Sequence, residues 1–301
     1  IIISKNTVIL ICLILFTAGP ATASTLNVGK DQAYTTIQSA IDAAKTGDSI
    51  LVDEGIYIEN PVINTNGISI IGNNRENTII DGKNKSSGIR IDQMNKVVIS
   101  GFTIKNSGGG GSEVAGVTIF NGNDNTVSNL NIIGNYVGIS IFKESNNNTV
   151  SGNIVESNLG QLGYGIYVHI SHDNKIFNNN IKNNKVGIYL YDSKTNRIYS
   201  NNFLSNKDGQ AYDQTGLNVW DFDKMGNYWS DYNGSGEYVI KGAKNVLDNF
   251  PQKNAFSIKS EAIPAQSAQK ANETGKSTPG FTIISFVISL IAIGMFIRRK
   301  K

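Results

Sequence analysis

The sequence predicts an all-β fold: a right-handed parallel β-helix with three strands per coil of about 22 residues and an α-helical cap at its N-terminal end. The first observation is composition. Glycine is 31 of 301 residues, charged residues make up only 17 %, and asparagine is over-used, which suits tight turns and short strands better than long helices. The second is a repeat. Gly followed by an apolar-x-apolar triplet occurs at Gly67, Gly88, Gly116, Gly138, Gly165 and Gly187, at spacings of 21, 28, 22, 27 and 22 residues, the longer two carrying insertions around 108–113 and 159–164.

The third observation is alternation within each unit. It places Ile68, Ile89, Val117, Ile139, Ile166 and Ile188 inside, each two residues before Ile70, Ile91, Ile119, Ile141, Val168 and Leu190. A second inward column reads Val127, Val150, Ile176, Ile198, and a third Ile132, Ile154, Ile181, Phe203. One coil cannot bury such faces alone, but coils stacked at about 4.8 Å can. Asn125, Asn148, Asn174 and Asn196, then Asn131, Asn153, Asn180 and Asn202, recur once per coil and are expected to form amide ladders at the turns.

Along the chain, residues 1–23 read as a secretory signal: Lys5, an apolar stretch from Val8 to Ala18, and the small residues Ala21-Thr22-Ala23. The chain opens on Ile1 rather than methionine, as a truncated or late start would. Residues 24–66 hold a helix with Ile37, Ala40, Ile41 and Ala44 on one face, then an alternating strand through Ile50, Val52 and Ile56; this is the cap leading into the first coils. Coils fill 67–213. Residues 214–252, with Trp220, Tyr228, Trp229 and Tyr232, are expected to cover the last coil. Residues 253–278, rich in Ala, Ser, Lys, Gln and Glu, read as a linker. In 279–301, Phe281 to Ile297 is continuously apolar and Arg298 to Lys301 are basic, the pattern of a membrane anchor with its charge left in the cytoplasm.

Two resemblances follow from these residues. Pro279-Gly280-Phe281, with the apolar segment and basic tail, resembles the PGF-CTERM sorting signal of archaeal surface proteins, which implies processing by an archaeosortase and a lipid-anchored product facing outward. The coils, the cap and the ending Gly226-Asn227-Tyr228-Trp229-Ser230-Asp231-Tyr232, with Asp248-Asn249-Phe250-Pro251, resemble the NosD-type and CASH-type β-helix family over residues 27–251. That family includes a periplasmic protein linked to copper maturation, sugar hydrolases, lyases and epimerases, and many archaeal surface proteins. Asn84, Asn147, Asn233 and Asn272 begin N-x-S/T sequons, candidate glycosylation acceptors.

A net charge of +3, partly from the last four residues, gives the body no nucleic-acid footprint. Cys12, the single cysteine, lies in the signal, so no disulfide or thiolate metal site is expected. His169 and His172 are the only histidines, with Met94 and Met225 remote in sequence, a poor copper set. Asp221-x-Asp223 with Gly226 has the outline of a calcium loop, but Met225 and Tyr232 fall where oxygen ligands are needed, so a capping turn is expected. No metal and no cofactor are expected.

The outward positions hold the candidate site. Phe120, Phe142, His169 and Tyr191 form one column beside Tyr167 and Tyr189. An apolar strip of this size serves a partner or lies under another segment of the chain. As a platform, its rings and hydroxyls would hold glycan; alternatively an insertion loop or the C-terminal aromatic segment packs over it. Asp92, Glu144, Asp173 and Asp192 do not stack into the carboxylate pair that glycoside hydrolysis needs. A lyase or epimerase needs a base and an acid on opposite faces of the sugar, and His169 with Tyr167, Tyr189 or Tyr191 is the candidate set, though it lacks an arginine for a uronate, Arg90 being three coils away. The expected function is an exported surface protein that binds glycan or envelope proteins without catalysis, with a polysaccharide lyase or epimerase as the alternative. A NosD-like copper role is a more distant third.

Overall fold

The computed structural model describes residues 23–258, which fall within one unit; the signal and most of the linker and anchor lie outside this range. The chain is a parallel β-solenoid of about nine turns. Three eight-stranded parallel sheets run its length, with one two-stranded antiparallel pair near the end. The first sheet runs from Thr25–Val28 to Arg197–Tyr199, the second from Gly55–Tyr57 to Tyr228–Trp229, and the third from Val62–Ile63 to Lys241–Gly242. Among the described residues the single α-helix is Ile37–Ala43.

That helix starts where its chemistry dictates. Thr36 accepts from the Ser39 amide, and the Glu59 carboxylate accepts from the amides of Ile37 (2.9 Å) and Gln38 (3.0 Å), which satisfies donors that no turn of helix precedes. Ile37, Ala40 and Ile41 are buried in the core.

The core is one continuous column of Ile, Val and Leu, most of it fully buried. Ile89, Val117, Ile139, Ile166 and Ile188 stack in register in the third sheet, as do Ile91, Ile119, Ile141, Val168 and Leu190. The recurring glycine before them has a plain cause: a Cβ on Gly88 or Gly165 would press against the carbonyl oxygen of Gly116 or Gly187 in the next coil, at 2.7 and 2.6 Å.

Three parts of the pattern fall differently. Gly67 does not belong to this glycine column: its strand, Ser69–Gly72, lies in the first sheet, where Ile70 pairs with Ile99, and the predecessor of Ile91 in the third sheet is Ile63. Gly67 serves a left-handed turn (φ 66°) instead. In the second sheet, Val155 rather than Ile154 continues the inward row Ile132, Ile181, Phe203, and Ile154 pairs with Asn131 on the outer side.

The ladders are the third correction. Asn125, Asn148, Asn174 and Asn196 do form one, continued by Asn218. The second comprises Asn153, Asn179, Asn201 and Asn227, and a third, not expected from the sequence, Asn135, Asn158, Asn184 and Asn206. Asn131, Asn180 and Asn202 are strand residues on the outer side: Asn202 donates to Asn180 and holds the Phe256 backbone by both its N–H and its C=O. The chain is therefore tied to the second sheet three residues into the expected linker. A central ladder amide is fully used. Asn174 Oδ1 accepts from the backbone and side chain of Asn148, while its Nδ2 donates to Ser145 O (3.0 Å) and Asn196 Oδ1 (2.9 Å). The residue just before a ladder position adopts the left-handed conformation again and again: Asp124, Asn147, Asp173 and Thr195 at one corner; Asn178 and Ser200 at another; Ser157, Asn183 and Ser205 at the third.

At the C-terminal end Trp229 stacks on Phe203 (4.4 Å) and under Tyr238 (4.2 Å). Its indole N–H donates to Asp248 (2.9 Å), which also accepts from the amides of Asn227 and Phe250. Burial pushes the Asp248 carboxyl above the ordinary value although these donors pull the other way. Trp220 donates in the same manner to buried Asp213. Asp221 accepts from Asn249, so the calcium-like outline is here a hydrogen-bonded turn.

Candidate functional site

The outer face of the third sheet brings all six candidate residues together. Phe120, Phe142, His169 and Tyr191 pair coil to coil, with ring centroids 5.9, 4.7 and 5.0 Å apart. Beside them Tyr167 and Tyr189 lie 5.9 Å apart. Two further tyrosines join. Tyr164, from the second insertion, stacks on Tyr189 at 5.0 Å, and Tyr212 stacks on its other side at 4.8 Å. Tyr212 lacks the mark of the repeat because Gln210 stands where the earlier coils have glycine; its spacing of 23 residues from Tyr189 is the signal the sequence holds.

Of the two arrangements the sequence leaves open, platform or covered strip, each holds for one half of the face. Tyr167 keeps only 7 % of its surface and belongs, with Ala115 and Val137, to a second apolar cluster outside the solenoid core, on which Tyr136, Phe142, Leu162, Tyr164 and Tyr189 pack. The insertions close this half. Thr118 donates to Glu113 O (2.6 Å) and Ser140 to Ser112 O (3.0 Å), so both hydroxyls lie beneath the first insertion. The other column stays partly open, with Tyr191 the most exposed at 39 %.

The rings are not laid flat toward solvent throughout. Phe120 and Phe142 are nearly parallel (14°), and the Arg90 guanidinium covers Phe120 at 4.4 Å while pairing with Asp92 at 3.1 Å. His169 stands edge-on between Phe142 (71°) and Tyr191 (76°). Its Nδ1 is buried without a hydrogen-bond partner. Burial holds its pKa below the ordinary imidazole value, with nearby Asp192 pulling the other way, so the ring is neutral at pH 7. Directly after it, Ile170 is left-handed (φ 47°), a costly conformation for a β-branched residue.

The phenols are tuned away from base chemistry. Tyr167 lies far above the ordinary phenol value through burial first and then its neighbours Tyr164, Tyr189 and Tyr191; Tyr189 is raised by burial and then by Tyr164, Tyr212 and Tyr191. A cavity of about 370 Å³ lined by Asn84, Tyr136 and Leu159, and one of about 340 Å³ lined by Tyr228, Trp229 and Lys253, contain none of the six candidates.

A metal fits poorly. Among the described residues no three His, Cys, Asp or Glu side chains group closely enough to hold an ion. His169 is walled by rings, and His172 Nδ1 accepts from the Lys194 amide at 3.3 Å. Nor is any described helix long and apolar enough to cross a membrane.

Fold and face together define a parallel β-solenoid with an aromatic surface on one outer sheet. The family described as periplasmic copper-binding protein (NosD) matches residues 23–234, and the chain belongs to that family. No curated protein matches it. Among solved structures it is similar to an alginate lyase from Paenibacillus sp. str. FPU-7, with 17 % identity, 69 % of this chain and 88 % of that one covered, and a TM-score of 0.46. It is also similar to ORF18 of Geobacillus virus E2 (15 %, 64 % and 41 %, 0.48) and to pectin methylesterase PemA from Erwinia chrysanthemi (14 %, 69 % and 78 %, 0.42).

Proposed function

We propose that this NosD-family solenoid is an exported, envelope-anchored protein that binds carbohydrate on the outer face of its third sheet and performs no chemistry on it. The observation that carries this reading is the stack of tyrosine rings on this face, Tyr164 and Tyr212 on Tyr189 with Tyr191 at 6.4 Å, beside the half-open column Phe142, His169, Tyr191. Hydroxyl donors next to apolar ring edges suit sugars, which present both C–H faces and hydroxyl rims. On this reading the helix Ile37–Ala43 seals the first coil, the signal at 1–23 exports the chain, and the segment 279–301 anchors it, after archaeosortase processing of the PGF motif. The body then faces the envelope, where glycans and neighbouring envelope proteins are its partners.

His169 favours a second reading, a lyase or epimerase, because it is neutral and has a buried, unpartnered nitrogen. Three facts weigh against it. The neighbouring phenols are raised rather than lowered, Arg90 is committed to Asp92 and Phe120, and Asp92 is three coils from His169 in the register. Copper handling, which the family's description carries, has no adequate donor set in the described residues.

The test is one experiment with two readouts on acidic and neutral polysaccharides: binding, and the ultraviolet absorbance of unsaturated products. Binding that falls at least about tenfold in Phe142→Ala and Tyr191→Ala without absorbance supports the proposal. Absorbance that disappears in His169→Ala replaces it with a lyase. Neither signal from the folded protein sinks both.

A further inference from the structure

Two groups of exposed large apolar side chains lie at the two ends of the solenoid, apart from those of the middle coils, and they differ in the charges around them. Near the first coil, Ile56, Ile58 and Val62 are exposed among the carboxylates Asp53, Glu54 and Glu59. Near the last, Leu217 (60 %), Val219 (44 %), Phe222 (46 %), Met225 (41 %) and Phe250 (40 %) are exposed. The same coils hold them together. Val219 bridges Arg197, Phe222 packs on Tyr199 at 5.3 Å and pairs with Met225, and the Phe250 carbonyl accepts from the Gly226 amide.

The patch is displayed by a built device. Phe222 and Met225 exchange both backbone hydrogen bonds across a two-residue turn whose members, Asp223 and Lys224, are both left-handed (φ 51° and 61°) without a glycine between them. Such a turn is a cost the chain bears to hold two exposed apolar residues side by side. Three cations, Lys194, Arg197 and Lys224, are exposed around it against two carboxylates, Asp221 and Asp223, and the Arg197 guanidinium lies 5.3 Å from the Phe222 ring. Asp221 is taken up by Asn249, and Asp223 shares the turn with Lys224.

On the anchoring reading above, a bilayer is the surface to which the C-terminal end is tethered. Its described part ends at Ile258, just beyond Phe256, which is held by Asn202 in the same coil as Tyr199. The apolar run Phe281 to Ile297 follows after a span that covers at most about 75 Å. The tether therefore leaves from the end that carries the apolar and basic patch. We propose that Leu217, Val219, Phe222, Met225 and Phe250, ringed by Lys194, Arg197 and Lys224, dock the last coils of the solenoid on the surface of an anionic lipid bilayer. Apolar side chains enter the headgroup boundary while the cations meet lipid phosphates. This rests on the reading above that the C-terminal segment anchors the chain.

The test uses the full chain reconstituted in vesicles of anionic lipid whose acyl chains carry bromine, a quencher of tryptophan. Trp220 and Trp229 are each only 1 % exposed and report little. The variant Phe222→Trp places a reporter in the patch, and Ile56→Trp places one at the opposite end. The expected result is strong quenching in the first and none in the second. Replacing Lys194 and Lys224 by Gln should weaken docking by about fivefold per charge. A chain that floats with the vesicles while Phe222→Trp stays unquenched overturns the docking surface and leaves the anchor standing. A chain that does not float overturns both. Lipid-free self-association that shields the same reporter assigns the patch to a second copy and overturns the proposal.

Discussion

The corners of the solenoid and the outer face of its third sheet are built by the same repeat, yet they obey different rules. At a corner, the successive coils from Asn125 to Asn218 place the same amide in the same environment, and the side-chain amides of Asn148, Asn174 and Asn196 are met by the coil above or below. On the outer face, the residue changes along the column: Phe120 and Phe142, then His169, then Tyr191. There the structure leaves one buried nitrogen unpartnered, at His169, and one β-branched residue left-handed, at Ile170. Repetition lets stability accumulate where neighbours are identical, because each added coil satisfies the last. Departure from repetition marks the surface on which something other than stability has shaped the residues.

The sharpest way to break the comparison is at a corner. In Asn179→Ala, the backbone and side-chain N–H of Asn153 lose their shared acceptor, and Val150 O and Asn201 Oδ1 lose a donor, all in the buried interior. Stranded buried groups cost about 1–3 kcal/mol each when water cannot reach them, so a total loss of about 3–5 kcal/mol is expected after relaxation. Denaturant unfolding measures it. A loss below about 1 kcal/mol would mean that the ladder is redundant.

The second effect has the opposite sign. Ile170 occupies the turn position that Asn121, Lys143 and Asp192 fill in other coils, all left-handed. Ile170→Asn should remove most of a backbone penalty of about 1–2 kcal/mol and raise the thermal midpoint by a few degrees. If stability falls instead, the 37 % exposed side chain is held by contacts that outweigh its backbone, and the turn is not a strained element.

How much of this was legible depends on how often a feature recurs. The inward row of the third sheet was readable because five glycines mark it, each required by the carbonyl of the coil above. The second sheet was not marked this way. In Asn153-Ile154-Val155, two β-branched residues stand in a row and local alternation cannot choose between them; only pairing with Ile132 and Ile181 selects Val155. The ladders failed for a related reason: Asn-Asn doublets at 179–180 and 201–202 offer two registers, and hydrogen bonding to the neighbouring coil decides. At the candidate site the ring column was readable from spacing. Its partial closure was not, since the 108–113 and 159–164 segments interrupt the period and carry no pattern of their own.

The smallest effect is on pH, and it tests whether the outer column is a place of stored cost. Burial lowers the His169 pKa in the folded chain relative to the unfolded one. A group that binds its proton less tightly when folded adds stability that is complete above its ordinary value of 6.5 and is lost as pH falls through the folded value. The chain should therefore lose stability on acidification from about pH 7 toward 5, a window in which ordinary carboxylates are still largely ionised. His169→Phe continues the Phe120–Phe142 column with a side chain that has no nitrogen to bury. It should remove that slope while leaving stability at pH 7.5 equal or slightly higher. Thermal unfolding of the two proteins across this range measures the difference, with the carboxylate response common to both. An unchanged slope would place the acid response elsewhere and leave the unpartnered nitrogen without an energetic consequence. A vanished slope together with lost carbohydrate binding would identify His169 as a residue kept for its ligand at the expense of the fold.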